Sequence, residues 1–193
     1  MSHEGNTVQA SPPVKRFTWK RRLVRSVLLY VVVPYLAIVV IVVAFQRRMI
    51  YQPTKTDRLP AQEVTSSDVK VEDVELHAAN ELTLHGWRFH AEATTDDAPK
   101  FLVIYFPGNA GCRRDRLADC RDFTRLGCDV VLFDYRGYGD NDGSPSEVLL
   151  AADARRAWLF ATHDLHFPPE RIVLFGESLG GAVATRQIGR AHV

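Results

Sequence analysis

Gly176, Ser178 and Gly180 fall at alternate positions in the stretch GESLG, near the end of the chain. Two glycines around a serine permit a sharp strand-to-helix turn without side-chain clashes. That turn lifts the hydroxyl to an exposed apex at a helix N-terminus. A hydroxyl held there suits nucleophilic attack on a carbonyl carbon, and the backbone N–H of Leu179 points toward the oxyanion that the attack creates. Earlier in the chain, PGNAG (Pro107 to Gly111) closes another apolar run. Gly108 allows close approach there, and the backbone N–H of Asn109 is the expected second oxyanion donor. One such donor is worth roughly 100- to 1000-fold in rate. Pro107 lacks an N–H, but it is not at the donor position.

The same chemistry needs a base and an acid that orients it. Fifteen residues follow Ser178, none of them Asp or Glu, and the one histidine among them is His192. On a continuing helix His192 stands about 20 Å from Ser178, whereas proton transfer needs about 3 Å. His163 and His166 precede the third buried strand, which assigns them to the far end of a sheet as surface residues. The expectation is a nucleophile and its oxyanion donors, with the base and acid lying beyond these residues. The terminal Ile188 to Val193 is also what a common sequencing adapter encodes in one frame. Residues 187–193 are therefore expected to be a non-native tail, and the natural sequence to continue past Arg186.

The elements that would position these groups alternate. Val69, Val71, Val74, Leu76, Leu82 and Leu84 follow a period of two around an Ala-Ala-Asn turn, as in an antiparallel hairpin. FLVIYF (101–106), DVVLFDY (129–135) and RIVLF (171–175) are continuous apolar runs, as in parallel strands buried on both faces. Between them, 113–126 carries Leu117, Cys120, Phe123 and Leu126 at spacings of three, stopped by Gly127. In SPSE, Ser144 reads as the cap of a second helix, with Pro145 in its first position and Glu147 as reciprocal cap. This β-α-β-α-β order implies an α/β fold with right-handed crossovers. Asp140 and Asp142, beside Gly143, read as ordinary turn residues. The last strand would stand as an exposed apolar edge.

The N-terminal part is different in kind. Val27 to Phe45 is nineteen residues without a charge, about the length of a bilayer-spanning helix, and Pro34 is tolerated in such a helix. Six basic residues precede it and four follow closely, so the positive-inside rule places the N-terminus in the cytoplasm. Tyr30 and Tyr51 are candidates for the two interfaces. Residues 1–57 hold nine Lys/Arg and two acids, a balance of +7, whereas 58–193 hold fifteen and twenty-one, a balance of −6. A basic head on an acidic body argues for a membrane surface and against nucleic acid as partner. Cys112, Cys120 and Cys128 match neither a disulfide framework nor a zinc spacing, and read as small apolar residues. The expected organisation is a basic tail (1–22), a single transmembrane helix (23–46), a polar linker (47–67), a partial catalytic domain (68–186) and the tail (187–193).

FPGNAG, DYRGYGDNDGSPSE and GESLGGAVA, in this order, resemble the α/β-hydrolase superfamily. Within it they are most similar to membrane-anchored α/β-hydrolase-domain proteins, the depalmitoylase-like and serine aminopeptidase-like esterases. The resemblance covers about residues 66–186, the N-terminal half of that fold, with a mostly parallel sheet. It implies Ser178 as nucleophile, with the N–H groups of Asn109 and Leu179 as the oxyanion hole. Gly108, Gly176 and Gly180 then shape the loops, while Asp134 and Arg136 fix the DYRG loop, since the family's triad acid comes later in the chain. It further implies an acylated or other small-molecule substrate with an ester, thioester or amide carbonyl, and no cofactor or metal. A non-catalytic membrane-anchored stub, or an acyltransferase or peptidase on the same fold, is the alternative.

Overall fold

The structure, a computed structural model, describes residues 18–78, 81–91 and 101–191. Contacts divide the chain into two compact units, one ending at Gln46 and the other running from Arg47 to Val193. Helix α1, Trp19–Ile50, is 32 residues long and has an 18-residue stretch of mean hydropathy 3.0. At 1.5 Å per residue it is about 48 Å long, more than a bilayer's hydrocarbon core requires. Leu28–Val32 forms a π turn, closed by Val33 N–H donating to Leu28 O. Pro34, just beyond, has no N–H to give and crowds the carbonyl one turn back, which accounts for the local widening.

In the second unit, β1 (Val71–His77), β2 (Thr83–Phe89), β3 (Phe101–Phe106), β4 (Cys128–Phe133) and β5 (Ile172–Gly176) form one sheet in the order β1-β2-β4-β3-β5. The hairpin β1–β2 is antiparallel, as its period of two implies, and β2 meets β4 antiparallel. Strand β3 pairs in parallel with β4 and β5. Helices α2 (Leu117–Arg125), α3 (Glu147–Leu159) and α4 (Leu179–Ala191) connect or follow these strands.

The continuous apolar runs of β3 and β4 are explained by two cores, one on each face. Leu102, Ile104, Phe106, Val131 and Phe133 pack with Leu150, Ala154, Trp158, Val183 and Ala184 of α3 and α4. Val103, Tyr105, Val130 and Leu132 pack with Trp87, Phe89 and Cys120 on the other side. Each fully buried Leu, Ile or Val contributes about 1.5–3 kcal/mol. Among the described residues strand β5 pairs on one side only, and its Val173 and Phe175 are 42% and 36% exposed, as an apolar edge.

Three expectations need correction. Residues 52–67 are no free linker. They form a strap across the body, with Leu59, Ala61 and Val64 buried, and a short parallel ladder pairs Gln52–Pro53 with Ala110–Gly111. Their sparse apolar residues hid this, because backbone bonding carries much of the attachment. Tyr51 packs against the α3–α4 core. The cap of α3 is Ser146, which accepts the Leu149 N–H at 3.3 Å; the second serine of SPSE lies where that N–H can be reached. Residues 113–116 are a 3₁₀ turn, so α2 starts late, and Leu126, past its end, is 73% exposed. Gln187 is buried with neither amide atom hydrogen-bonded, a mismatch worth about 1–3 kcal/mol.

Candidate active site

The pairing of β3 with β5 aligns Phe106 with Gly176. The loop after β3 and the turn after β5 therefore emerge side by side at the carboxyl ends of adjacent parallel strands, where α/β sheets collect ligands. Glu177 N–H donates to Phe106 O at 3.0 Å and fastens the two. Ser178 is exposed and adopts φ +51°, a left-handed conformation that costs a non-glycine residue about 1–3 kcal/mol. Leu179 opens α4, where N–H groups have no intrahelical acceptor.

The glycines are needed for contact. A Cβ on Gly180 would lie 2.6 Å from the Phe106 carbonyl carbon and 2.8 Å from Pro107 O. A Cβ on Gly176 would strike the Gly180 carbonyl across the turn. On Gly108 it would meet the Glu177 carboxylate at 3.1 Å. The motif thus brings the start of α4 onto the backbone of β3, beside Asn109.

Glu177, an unspecified position in the pentapeptide, is the residue that reading by motif missed. Its carboxylate accepts from Arg116 Nε at 3.0 Å, from the Gly108 N–H at 3.3 Å and from the Tyr105 hydroxyl at 3.4 Å. The Arg116 guanidinium holds its pKa below the usual carboxylate range, against a smaller upward push from burial. The serine turn and the Pro107–Gly111 loop are latched together by this one side chain. No spacing in the sequence marks it.

Asp134 and Arg136 sit in the loop after β4. Asp134 is buried and accepts from both the Arg113 backbone N–H and the Arg113 guanidinium, each at 2.7 Å. Burial pushes its pKa up to about 6, although Arg113 pulls the other way. Asp140 is more than a turn residue. It bonds Arg113 and accepts the Leu59 N–H at 3.1 Å. Burial pushes Asp140 up most strongly, but the Arg113 hydrogen bond and charge together with the backbone N–H groups outweigh it, and the net shift is downward. Arg113 itself is fully buried, donates to Leu59 O and lies 4.8 Å over the Trp87 ring. Arg136 pairs with the buried Asp153, Nε to Oδ2 at 2.8 Å. Asp142 is exposed. Cys112 and Cys120 are buried free thiols, and Cys128 is half-buried.

Among the described residues, no histidine reaches Ser178. His163 and His166 are exposed and lead into the start of β5, the end away from the serine turn. His85 is near the carboxyl end of β4 but on β2, three places from β5, or about 14 Å at the usual strand spacing. His192 lies outside the described residues. Beside Leu179 is a cavity of about 130 Å³, lined by Tyr51, Leu150, Ala151, Ala182 and Val183, with Glu147 and Arg186 paired at its edge.

The pattern that defines the alpha/beta hydrolase fold family matches residues 102–188. A protein of Mycobacterium tuberculosis, named only as uncharacterized, is 43% identical over 141 residues, covering 72% of this chain and 47% of its own length. The alpha/beta hydrolase domain-containing protein WAV2 of Arabidopsis thaliana is 32% identical over 148 residues, covering 75% of this chain and 47% of the relative. The chain thus spans about half the length of these curated relatives. Among solved structures, an alpha-beta hydrolase from Vibrio vulnificus matches at TM-score 0.51 and 25% identity, over 58% of this chain and 37% of that one. A Pyrococcus furiosus esterase matches at TM-score 0.53 and 22% identity, over 71% and 52%.

Proposed function

We propose that this chain, which belongs to the α/β-hydrolase superfamily, carries the nucleophile half of a membrane-anchored serine hydrolase. The observation that carries the reading is the Phe106–Gly176 register together with the left-handed Ser178. It sets an exposed hydroxyl next to a second loop that offers a backbone N–H.

In this reading Ser178 Oγ attacks the carbonyl carbon of an ester, thioester or amide. The oxyanion is held by the N–H groups of Leu179 and Asn109. A histidine takes the serine proton and returns it to the departing alcohol, thiol or amine, leaving an acyl-enzyme that water hydrolyses through the same base. The complete protein supplies that histidine and an Asp or Glu from residues after 186, in the chain order of this fold. The apolar lining of the cavity beside Leu179 suits an acyl or alkyl group. Helix α1 anchors the protein in a bilayer, its basic N-terminal flank on the cytoplasmic side.

The test is labelling of the complete protein, in detergent or vesicles, by a serine-directed fluorophosphonate. Covalent labelling that disappears in Ser178→Ala is the expected result. A wild-type protein that stays unlabelled, with its fold intact by circular dichroism, rejects the reading.

A further inference from the structure

The strap leaving the apolar helix is bonded directly to the loop assigned to the second oxyanion donor. Asn109 O accepts the Gln52 N–H at 3.1 Å and the Tyr138 hydroxyl at 3.0 Å. Gln52 N–H also lies 3.1 Å from the Tyr138 oxygen, so the three groups close a triangle. Asn109 Nδ2 donates to Ile50 O at 2.9 Å. The ladder from Gln52–Pro53 to Ala110–Gly111 continues the attachment. On the other side, the Gly108 N–H is held by Glu177. The Asn109 N–H therefore lies between two anchored groups, one fastened to the serine turn and the other to the strap. Burial raises the Tyr138 phenol above its ordinary range, which keeps the proton it donates.

We infer that Ile50 at the end of α1, the strap residues Gln52 and Pro53, and Tyr138 are positioning elements of the oxyanion loop, so that the segment joining the apolar helix to the body belongs to the catalytic apparatus and is more than a tether. The inference rests on the hydrolase reading above. Its physical basis is distance. A hydrogen-bond donor stabilises an oxyanion only when it lies within about 0.2 Å of its optimum near 2.9 Å, and a displacement near 1 Å can cost about 100-fold. The strap holds the Asn109 carbonyl through Gln52, the end of α1 holds its side chain through Ile50 O, and Tyr138 bridges strap and loop.

The test uses the complete protein with Tyr138→Phe, a change that removes one oxygen atom. Turnover of a short soluble ester falls about 10- to 100-fold in kcat, while KM stays within about twofold. Affinity for a trifluoromethyl ketone, which forms a tetrahedral adduct on the serine, falls in parallel with kcat/KM. The thermal midpoint stays near wild type. A purely structural tyrosine would move the midpoint and leave the ketone affinity in step with KM. Wild-type kcat and ketone affinity in Tyr138→Phe overturn the inference. Should that variant fail to fold, Asn109→Ala replaces it: the backbone N–H is retained, the bond to Ile50 O is lost, and the same two outcomes decide. Fluorophosphonate labelling separates the two readings. Labelling of wild type, its loss in Ser178→Ala and unchanged kcat in both positioning variants reject this inference alone, whereas an unlabelled wild type rejects both.

Discussion

Two ionic clusters stand at the carboxyl end of the same sheet, and they are built on opposite terms. In the knot of Arg113, Asp134 and Asp140, the side chains are 0%, 1% and 8% exposed. In the latch of Arg116 and Glu177, they are 11% and 42% exposed. Burial dominates at Asp134, which is pushed up to about 6 even with a guanidinium beside it, while its neighbour Asp140 is held low. The charge partner dominates the latch, where Arg116 holds Glu177 low. A buried cluster costs several kcal/mol of desolvation per ion and is stable only while every partner is present. A half-exposed pair costs and contributes little. The knot therefore holds the strap, the DYRG loop and the start of the α2 region as one body. The latch ties the serine turn to the Pro107–Gly111 loop.

The strongest way to break the comparison is Asp134→Ala. It leaves Arg113 buried with Asp140 as its one remaining carboxylate and strips the acceptor from the Arg113 backbone N–H. The expected loss is about 3–5 kcal/mol of stability, read from urea unfolding of the complete protein. A loss under about 1 kcal/mol would show that the knot is no more demanding than the latch.

Much of this frame was legible in the sequence, and the exceptions have a common cause. FLVIYF and the first part of DVVLFDY announce strands buried on both faces, because both faces of β3 and β4 meet a core. GESLG announces its turn, because its glycines meet backbone that no Cβ could share. The strap was illegible because its attachment is mostly main chain: Thr56 N–H to Gly139 O at 3.0 Å and Gly139 N–H to Thr54 O at 2.8 Å depend on no residue type. Arg113 is one of three arginines in RRDR, and nothing in that run tells which is buried against Trp87. Asp140 sits among turn residues and looks like one. Glu177 occupies a position where the motif makes no demand. Side chains whose partners are distant in sequence leave no periodicity to find.

A smaller effect separates packing from charge at the latch. Gly180→Ala places a methyl against the end of β3 at Phe106 and Pro107. Overpacking of this kind costs about 1–3 kcal/mol. Because the strain falls between the serine turn and the Pro107–Gly111 loop, the proposed function predicts that fluorophosphonate labelling drops by more than the stability change explains, with the folded protein still in excess. Labelling at the wild-type rate would show that the two loops tolerate separation, and would weaken the case that their contact matters.

The smallest effect tests the latch itself, and pH gives the comparison its sign. Asp134 has its folded pKa raised to about 6, above the ordinary value of about 3.9. Its contribution to stability is full below about pH 4 and is lost as pH rises through 6. Glu177 is lowered, so its contribution is full above the ordinary value of about 4.3 and is lost as pH falls through its folded value. Acidification from pH 7 to 5 thus favours the knot and leaves the latch closed; the latch opens only at lower pH. Glu177→Gln should cost less than about 1 kcal/mol at pH 7, since the carboxylate is exposed enough to be screened. That difference should shrink toward zero as pH falls below about 4.3 and through the lowered folded value, in urea midpoints measured beside wild type. The labelling rate at pH 7, in contrast, should fall severalfold, because the amide keeps one acceptor for Gly108 N–H but loses the charge that holds Arg116. A Glu177→Gln protein that labels normally, with a stability difference that does not vary with pH, would reduce the latch to an incidental surface pair.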